Sequence, residues 1–299
     1  MLILAVSILS ASIRSAISYN VEFRGMRGVG KNKYKELRIV EQKTEKLEKI
    51  TNAQSNKNIL RAVFWDMDGT LIDSEPYWHE SEFYLVKKYG GYWDEDLAWE
   101  CSGGSLETVA NKMIPSGTKL TVEEVGKGMV DYVAAREAES VPWIPGVLDV
   151  LKSLAKAGIP SVLVSNSPRC LVENIVKHAP EGAFVGYVCG DDGYEPKPSA
   201  EPYLAAGKIV GICGSAEEIA KQMANCVIIE DSLSGLTAAV NSGATVVAQT
   251  GFSRANISES KHHAELNGYE NVNVKTLEDI VLKRSKLAKA PQTSLPALP

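Results

Sequence analysis

The stretch ILRAVFW (59–65) runs straight into DMDGT (66–70), and that join decides the fold. The first seven residues are largely apolar and rich in strand formers with no clean alternation, the pattern of a strand buried on both faces. Similar runs recur at PSVLVSN (160–166), FVGYVCG (184–190), CVIIED (226–231) and ATVVAQ (244–249). Helical patterns lie between and after them, at Val147–Ala157, Arg169–Lys177, Pro202–Val210, Ala216–Met223 and Ser232–Asn241, with Gly158 and Gly243 placed as C-terminal caps. Strand–helix alternation of this kind predicts an α/β protein whose parallel sheet carries helices on both faces. From Ser74 to about Val141 no strand pattern occurs, only helical stretches at Tyr77–Tyr89, Ser105–Lys112 and Val122–Glu139. An all-helical insertion after the first strand is the simplest account. The expected organisation is therefore a core from 59–73 and 142–284, with a helical insertion at 74–141.

The flanks read differently. Residues 1–58 form an N-terminal extension whose first acid is Glu22. Residues 1–20 carry a short apolar run, Leu2 to Leu9, of signal-peptide type but without the preceding basic region, and their Ser/Arg-rich composition also resembles a transit peptide. A disordered or extended start without function is the third reading. Residues 31–50 alternate basic and acidic groups as a solvated helix or tether does, and TNAQSNKN (51–58) reads as a linker. The Pro-rich SKLAKAPQTSLPALP (285–299) is expected to be a disordered tail.

Composition bounds the function. The 299 residues are 44% hydrophobic with a net charge of −5, which excludes general disorder and gives no basic footprint for nucleic acid. No apolar run reaches the ~18 residues of a membrane span. Five scattered cysteines, with no CxxC pair, argue against a disulfide framework or zinc site and for a reducing, cytoplasmic setting. A monomer acting on a small molecule is expected.

In open parallel sheets ligands bind at the carboxyl ends of the strands. Here those ends carry Asp66-Met67-Asp68-Gly69-Thr70, then Ser165-Asn166, then Lys197 beyond the third strand, then Glu230-Asp231. Burying uncompensated charge costs several kcal/mol per group, so core packing does not explain this gathering. Carboxylates converging from separate strands call for a cation, and an all-oxygen set suits a hard ion, Mg²⁺ ahead of Ca²⁺. The hydroxyl, amide and ammonium match the oxygens of a phosphoryl group. Singly, each element has a plainer reading: Asp66 as a turn cap, Ser165-Asn166 and Glu230-Asp231-Ser232 as helix caps, Lys197 as a loop lysine between two prolines. An EF-hand does not fit DxDG here, because the glycine is fourth and a strand precedes it. The ordered conjunction at successive strand ends is what the plain readings leave unexplained.

The set DMDGTLIDSE (66–75), VSNS (164–167), EPKP (195–198) and IEDSLSG (229–235) resembles the haloacid-dehalogenase superfamily over about residues 60–250. The insertion resembles the subgroup with a helical cap between motifs one and two, and DSEPYW (73–78) is similar to sugar-phosphate phosphatases of the 2-deoxyglucose-6-phosphate and hexitol-phosphate type. The resemblance implies a Rossmann-like core and a Mg²⁺-dependent phosphomonoesterase working through an aspartyl-phosphate. It implies Asp66 as nucleophile, Asp68 as general acid and base, and Asp66, Asp68, Asp231 and Glu230 at the metal. Ser165, Asn166 and Lys197 would bind phosphate, and Gly103 and Gly104 would form a substrate loop in the cap. Trp78, His79, Trp93 and Trp99 are candidates for an aromatic wall, with packing in the cap core as the alternative for the tryptophans. A β-phosphoglucomutase-like isomerase is the second reading, although CSGGSLET (101–108) lacks the basic residues that would hold a second phosphate.

Overall fold

A computed structural model describes residues 59–102, 104–253 and 255–289. Six strands, β1 (Ala62–Trp65), β2 (Ser161–Val164), β3 (Gly186–Val188), β4 (Cys226–Glu230), β5 (Thr245–Gln249) and β6 (Ala264–Leu266), form one sheet in the order β3-β2-β1-β4-β5-β6. Every pairing is parallel. β1, β2, β4 and β5 are buried at every residue, which is why their sequences lack alternation. Side chains nevertheless sort by parity: Val63 and Trp65 enter one apolar cluster with Leu151, Leu163 and Ile229, while Ala62 and Phe64 enter the opposite one with Val162, Ile228 and Leu236.

Between β1 and β2 come α1 (Glu75–Tyr89), α2 (Glu95–Cys101), α3 (Leu106–Met113), α4 (Val122–Glu139) and α5 (Val147–Ala157). The remaining helices are α6 (Arg169–His178), α7 (Glu201–Ile209), α8 (Ala216–Met223), α9 (Leu233–Asn241) and α10 (Val274–Lys289). Helices α1 to α4 build their own apolar cluster around Leu85, Trp93, Val109, Met113, Val125 and Met129. The start of α4 is fixed by a capping box in which Thr121 and Glu124 satisfy each other's backbone. Two chain segments join this helical module to the sheet, and they pair side by side: Asp73 N donates to Pro142 O at 2.9 Å and Ile144 N to Leu71 O at 3.0 Å.

Three elements differ from the sequence expectation. Helix α2 is too short to show a helical period, and β6 is a three-residue edge strand without full burial. The tail expected from 285 instead continues α10 to Lys289, because Arg284 anchors that helix: its guanidinium donates to Ala224 O, Thr245 Oγ1 and Gly243 O. The expectations for residues 1–58, for Gly103 and for the tail from 290 to 299 fall outside the described residues. Among the described residues no helix is long and apolar enough to cross a membrane, and all five cysteines are unpaired.

Candidate active site

Parallel register sets the site. Trp65 stands opposite both Leu163 and Ile229, so the residues just beyond β1, β2 and β4 emerge at one level. Asp66 extends the ladder by one step, its N–H donating to Ile229 O at 3.0 Å, and its carboxylate is almost fully buried. Lys197 comes from the loop before α7 and is buried as well. Its ammonium has three protons and three acceptors: Asp66 Oδ1 at 2.6 Å, Glu230 Oε1 at 2.8 Å and Val164 O at 3.0 Å.

Glu230 is wholly inaccessible to solvent, and its carboxylate is crowded with donors. Oε1 accepts from Lys197 Nζ and Tyr203 Oη; Oε2 accepts from the backbone N–H of Asp231 and Ser232 and from Ser232 Oγ at 2.9–3.1 Å. Five donors fill the four lone-pair positions of a carboxylate. Glu230 therefore lies within reach of the expected metal position but has its oxygens committed elsewhere, which narrows the sequence-based assignment. Gly235 makes room for it, since a Cβ there would lie 1.6 Å from Oε1. Gly69, at φ +76°, does the same for Asp231: a Cβ would lie 2.3 Å from Oδ2.

Asp68 leaves the same turn in another direction. Ser74 Oγ donates to its Oδ1 at 2.5 Å, Trp78 Nε1 reaches Oδ1 at 3.4 Å, and Ser167 Oγ donates to Oδ2 at 2.8 Å. Ser74 occupies the N-cap position of α1 yet caps nothing with its side chain; its hydroxyl is spent on Asp68. Sequence reasoning gave no role to Ser74 or Ser167 and left Trp78 open between an aromatic wall and packing in the cap core. Both serines lie inside the quoted motifs, and only the fold shows that they converge on one carboxylate. Ser165 is buried and its Oγ accepts from Ser167 N at 2.9 Å, while Asn166 Oδ1 accepts from Lys197 N at 3.3 Å. The four motifs thus meet around one point.

Electrostatics give that point its chemistry. Burial, and then the charge of Glu230, push the Asp66 carboxyl up to about 7 against the opposing pull of Lys197. Burial together with Asp66 and Glu230 holds Asp231 well above the carboxylate range. Burial alone would lower Lys197, but Asp66 and Glu230 hold it above its ordinary value. Three buried carboxylates thus share a single buried ammonium. Asp66, Glu230 and Asp231 each present an oxygen within 4.8 Å of the others. With the Glu230 oxygens already engaged, Asp66 and Asp231 are the ones with oxygens to offer, and such all-oxygen ligands suit a hard divalent cation.

The remaining sequence candidates belong to the helical module. Gly104 sits in the exposed turn after α2, where its N–H returns to Cys101 O at 2.9 Å. Trp93 is buried in the module's own core and donates to Glu82 Oε2 at 2.9 Å, so it is not part of a wall. His79 pairs with Glu75 at 3.2 Å and meets Trp99 edge-on at 4.6 Å between ring centroids.

Comparison with known proteins places this geometry. Residues 60–243 match the family model described as haloacid dehalogenase-like hydrolase. The chain is 27% identical over 203 residues to the bifunctional riboflavin kinase/FMN phosphatase of Arabidopsis thaliana, a match covering 67% of this chain and 51% of that protein. It thus spans about half the length of that relative. It is 23% identical over 188 residues to hexitol phosphatase A of Escherichia coli (strain K12), covering 63% of this chain and 82% of that one. A solved structure of a HAD hydrolase of family IA, variant 3, from Entamoeba histolytica superposes with a TM-score of 0.63 at 18% identity, over 75% of this chain and all of the other. At that identity the likeness bears on the fold alone.

Proposed function

The chain belongs to the haloacid dehalogenase-like hydrolase family, and from that membership and the buried Asp66–Lys197–Glu230 arrangement we propose a Mg²⁺-dependent phosphomonoester hydrolase. The proposed substrate is a small phosphorylated metabolite, a sugar or polyol phosphate, for which the similarity to a hexitol phosphatase is the support. The observation that carries the reading is Lys197: an ammonium with all three protons placed holds one oxygen of the nucleophile at 2.6 Å while Asp68 stands apart on its own hydrogen bonds.

In the first step an Asp66 carboxylate oxygen attacks phosphorus, the bond to the ester oxygen breaks, and Asp68 gives that oxygen its proton. In the second step Asp68 takes a proton from water as the water attacks the aspartyl-phosphate; inorganic phosphate leaves and Asp66 is restored. Ser165 and the Asn166 amide would hold the transferring oxygens, and Lys197, expected from the sequence to bind phosphate, would act by its charge beside them, since its protons go to Asp66, Glu230 and Val164. Asp66, Asp231 and the main-chain carbonyl of Asp68 would hold Mg²⁺, with Glu230 in support. When bound, the ion supplies charge neutralisation between the carboxylates and the incoming phosphate. Helices α1 to α4 serve as a cap, with Gly103 and Gly104 at its substrate loop. The enzyme is read as a cytoplasmic monomer; two exposed, unpaired cysteines, Cys170 and Cys213, support a reducing setting.

The test is phosphate release over a panel of sugar, polyol and nucleotide monophosphates, with the wild type and Asp66→Asn side by side. Expected is Mg²⁺-dependent turnover that vanishes in the variant while its circular dichroism is unchanged. Turnover by Asp66→Asn within about tenfold of wild type, ~1.4 kcal/mol in barrier, overturns the nucleophile assignment.

A further inference from the structure

Tyr203 was legible in the sequence only as an aromatic on an amphipathic helix, and its ring does enter the apolar cluster beneath the sheet. It is nevertheless completely buried with a hydroxyl that needs a partner, and the partner is a site residue: Tyr203 Oη donates to Glu230 Oε1 at 3.2 Å. The face of the same ring lies 5.1 Å from Lys197 Nζ, within cation–π range. The Lys197 ammonium is thus fully engaged: Asp66, Glu230 and Val164 take its three protons, and the phenol ring adjoins it as well. Burial, and then the Glu230 charge, keep the phenol pKa well above its usual value, so it stays a donor.

We propose that Tyr203 is a positioning residue of the hydrolase: by holding Glu230 Oε1 with its hydroxyl and flanking Lys197 with its ring, it fixes the ammonium on Asp66 Oδ1. The proposal rests on the phosphatase reading and deepens it. Without the hydroxyl, Glu230 Oε1 loses one of its two donors, and the carboxylate gains freedom to turn about its remaining bonds. Lys197, which follows Glu230, then spends part of its time away from the nucleophile. Substrate contacts and the ligands Asp66 and Asp231 are untouched, so the loss falls on turnover.

The experiment uses the full chain and p-nitrophenyl phosphate at saturating Mg²⁺, comparing wild type, Tyr203→Phe and Tyr203→Leu. Phenylalanine keeps the ring and removes one hydrogen bond to a charged group, so kcat should fall about tenfold. KM, the melting temperature and Mg²⁺ affinity by calorimetry should stay close to wild type. Leucine removes the ring as well and should cost more; if it does not fold, the phenylalanine variant still decides. Wild-type kcat in Tyr203→Phe overturns the proposal, as does a loss of kcat that merely follows a lowered melting temperature or weakened Mg²⁺ binding. A wild type inactive on every phosphate ester would instead overturn the phosphatase reading.

Discussion

Glu137, near the end of α4, is the least comfortable side chain among the described residues, and replacing it should stabilise the protein in a pH-dependent way. It has no solvent exposure, and neither carboxyl oxygen receives a well-formed hydrogen bond. The Asn174 amide lies beside it but already donates to Ala134 O at 3.2 Å. Burial, and then the Asp68 charge, push the Glu137 carboxyl from 4.5 up to about 8. Above the unfolded value and below the folded one, the native state keeps a proton that the unfolded chain gives up, so stability falls as pH rises through that window. At 1.36 kcal/mol per unit, the two and a half units between 4.5 and 7 amount to about 3 kcal/mol. Glutamine has the shape of the protonated acid and never ionises. Urea unfolding followed by circular dichroism, with Mg²⁺ at a fixed saturating level, should find Glu137→Gln and wild type nearly equal at pH 5. By pH 7 to 8 the variant should be more stable by about 3 kcal/mol, roughly 6–12 °C in melting temperature for a domain of this size. A difference that does not change with pH, or a variant weaker than wild type at pH 8, would refute the reasoning.

Asp68→Asn should slow hydrolysis of alkyl phosphates about 100- to 10,000-fold, the usual cost of losing a general acid–base. An aryl ester, whose leaving group needs no proton, should be spared in the first step, and a rapid-quench burst measurement separates the two. Asp231→Ala should raise the Mg²⁺ concentration for half-maximal activity, and excess EDTA should abolish wild-type turnover; full activity in EDTA would end the metal assignment. Arg284→Ala should destabilise the fold by about 2–3 kcal/mol in urea titration, because three acceptors at Ala224, Thr245 and Gly243 lose a charged donor together.

What the sequence revealed follows from what a parallel sheet does. Strands buried on both faces announce themselves as unbroken apolar runs, and their carboxyl ends are the last strand residue or the one just after it, so Asp66, Ser165 and Glu230 could be placed by position alone. Lys197 was harder, lying nine residues beyond β3, and its motif carried it. What stayed hidden depends on contacts between distant segments. Ser74 looks like a helix cap, Ser167 like part of a turn and Tyr203 like core; each turns to the site only because three separate pieces of chain meet there. Glu137 reads as one more acid on the polar face of α4, and nothing local shows that this face is covered. Short elements were illegible for a simpler reason: seven residues of α2 and three of β6 hold too few turns or pleats to display a period.

The anchoring of Asp68 has a consequence for fidelity. Its carboxylate is gripped from two directions, by Ser74 and Trp78 on the module side and by Ser167 on the sheet side. Under the proposed chemistry this is an interlock: the proton donor is aimed only while both bodies are docked, whereas Asp66 and Lys197 belong to the sheet alone. An undocked module leaves the nucleophile armed but the acid and base unaimed. An aspartyl-phosphate exposed in that state lacks the group that would activate water against it, so wasteful hydrolysis is throttled by the same contacts that license the productive one.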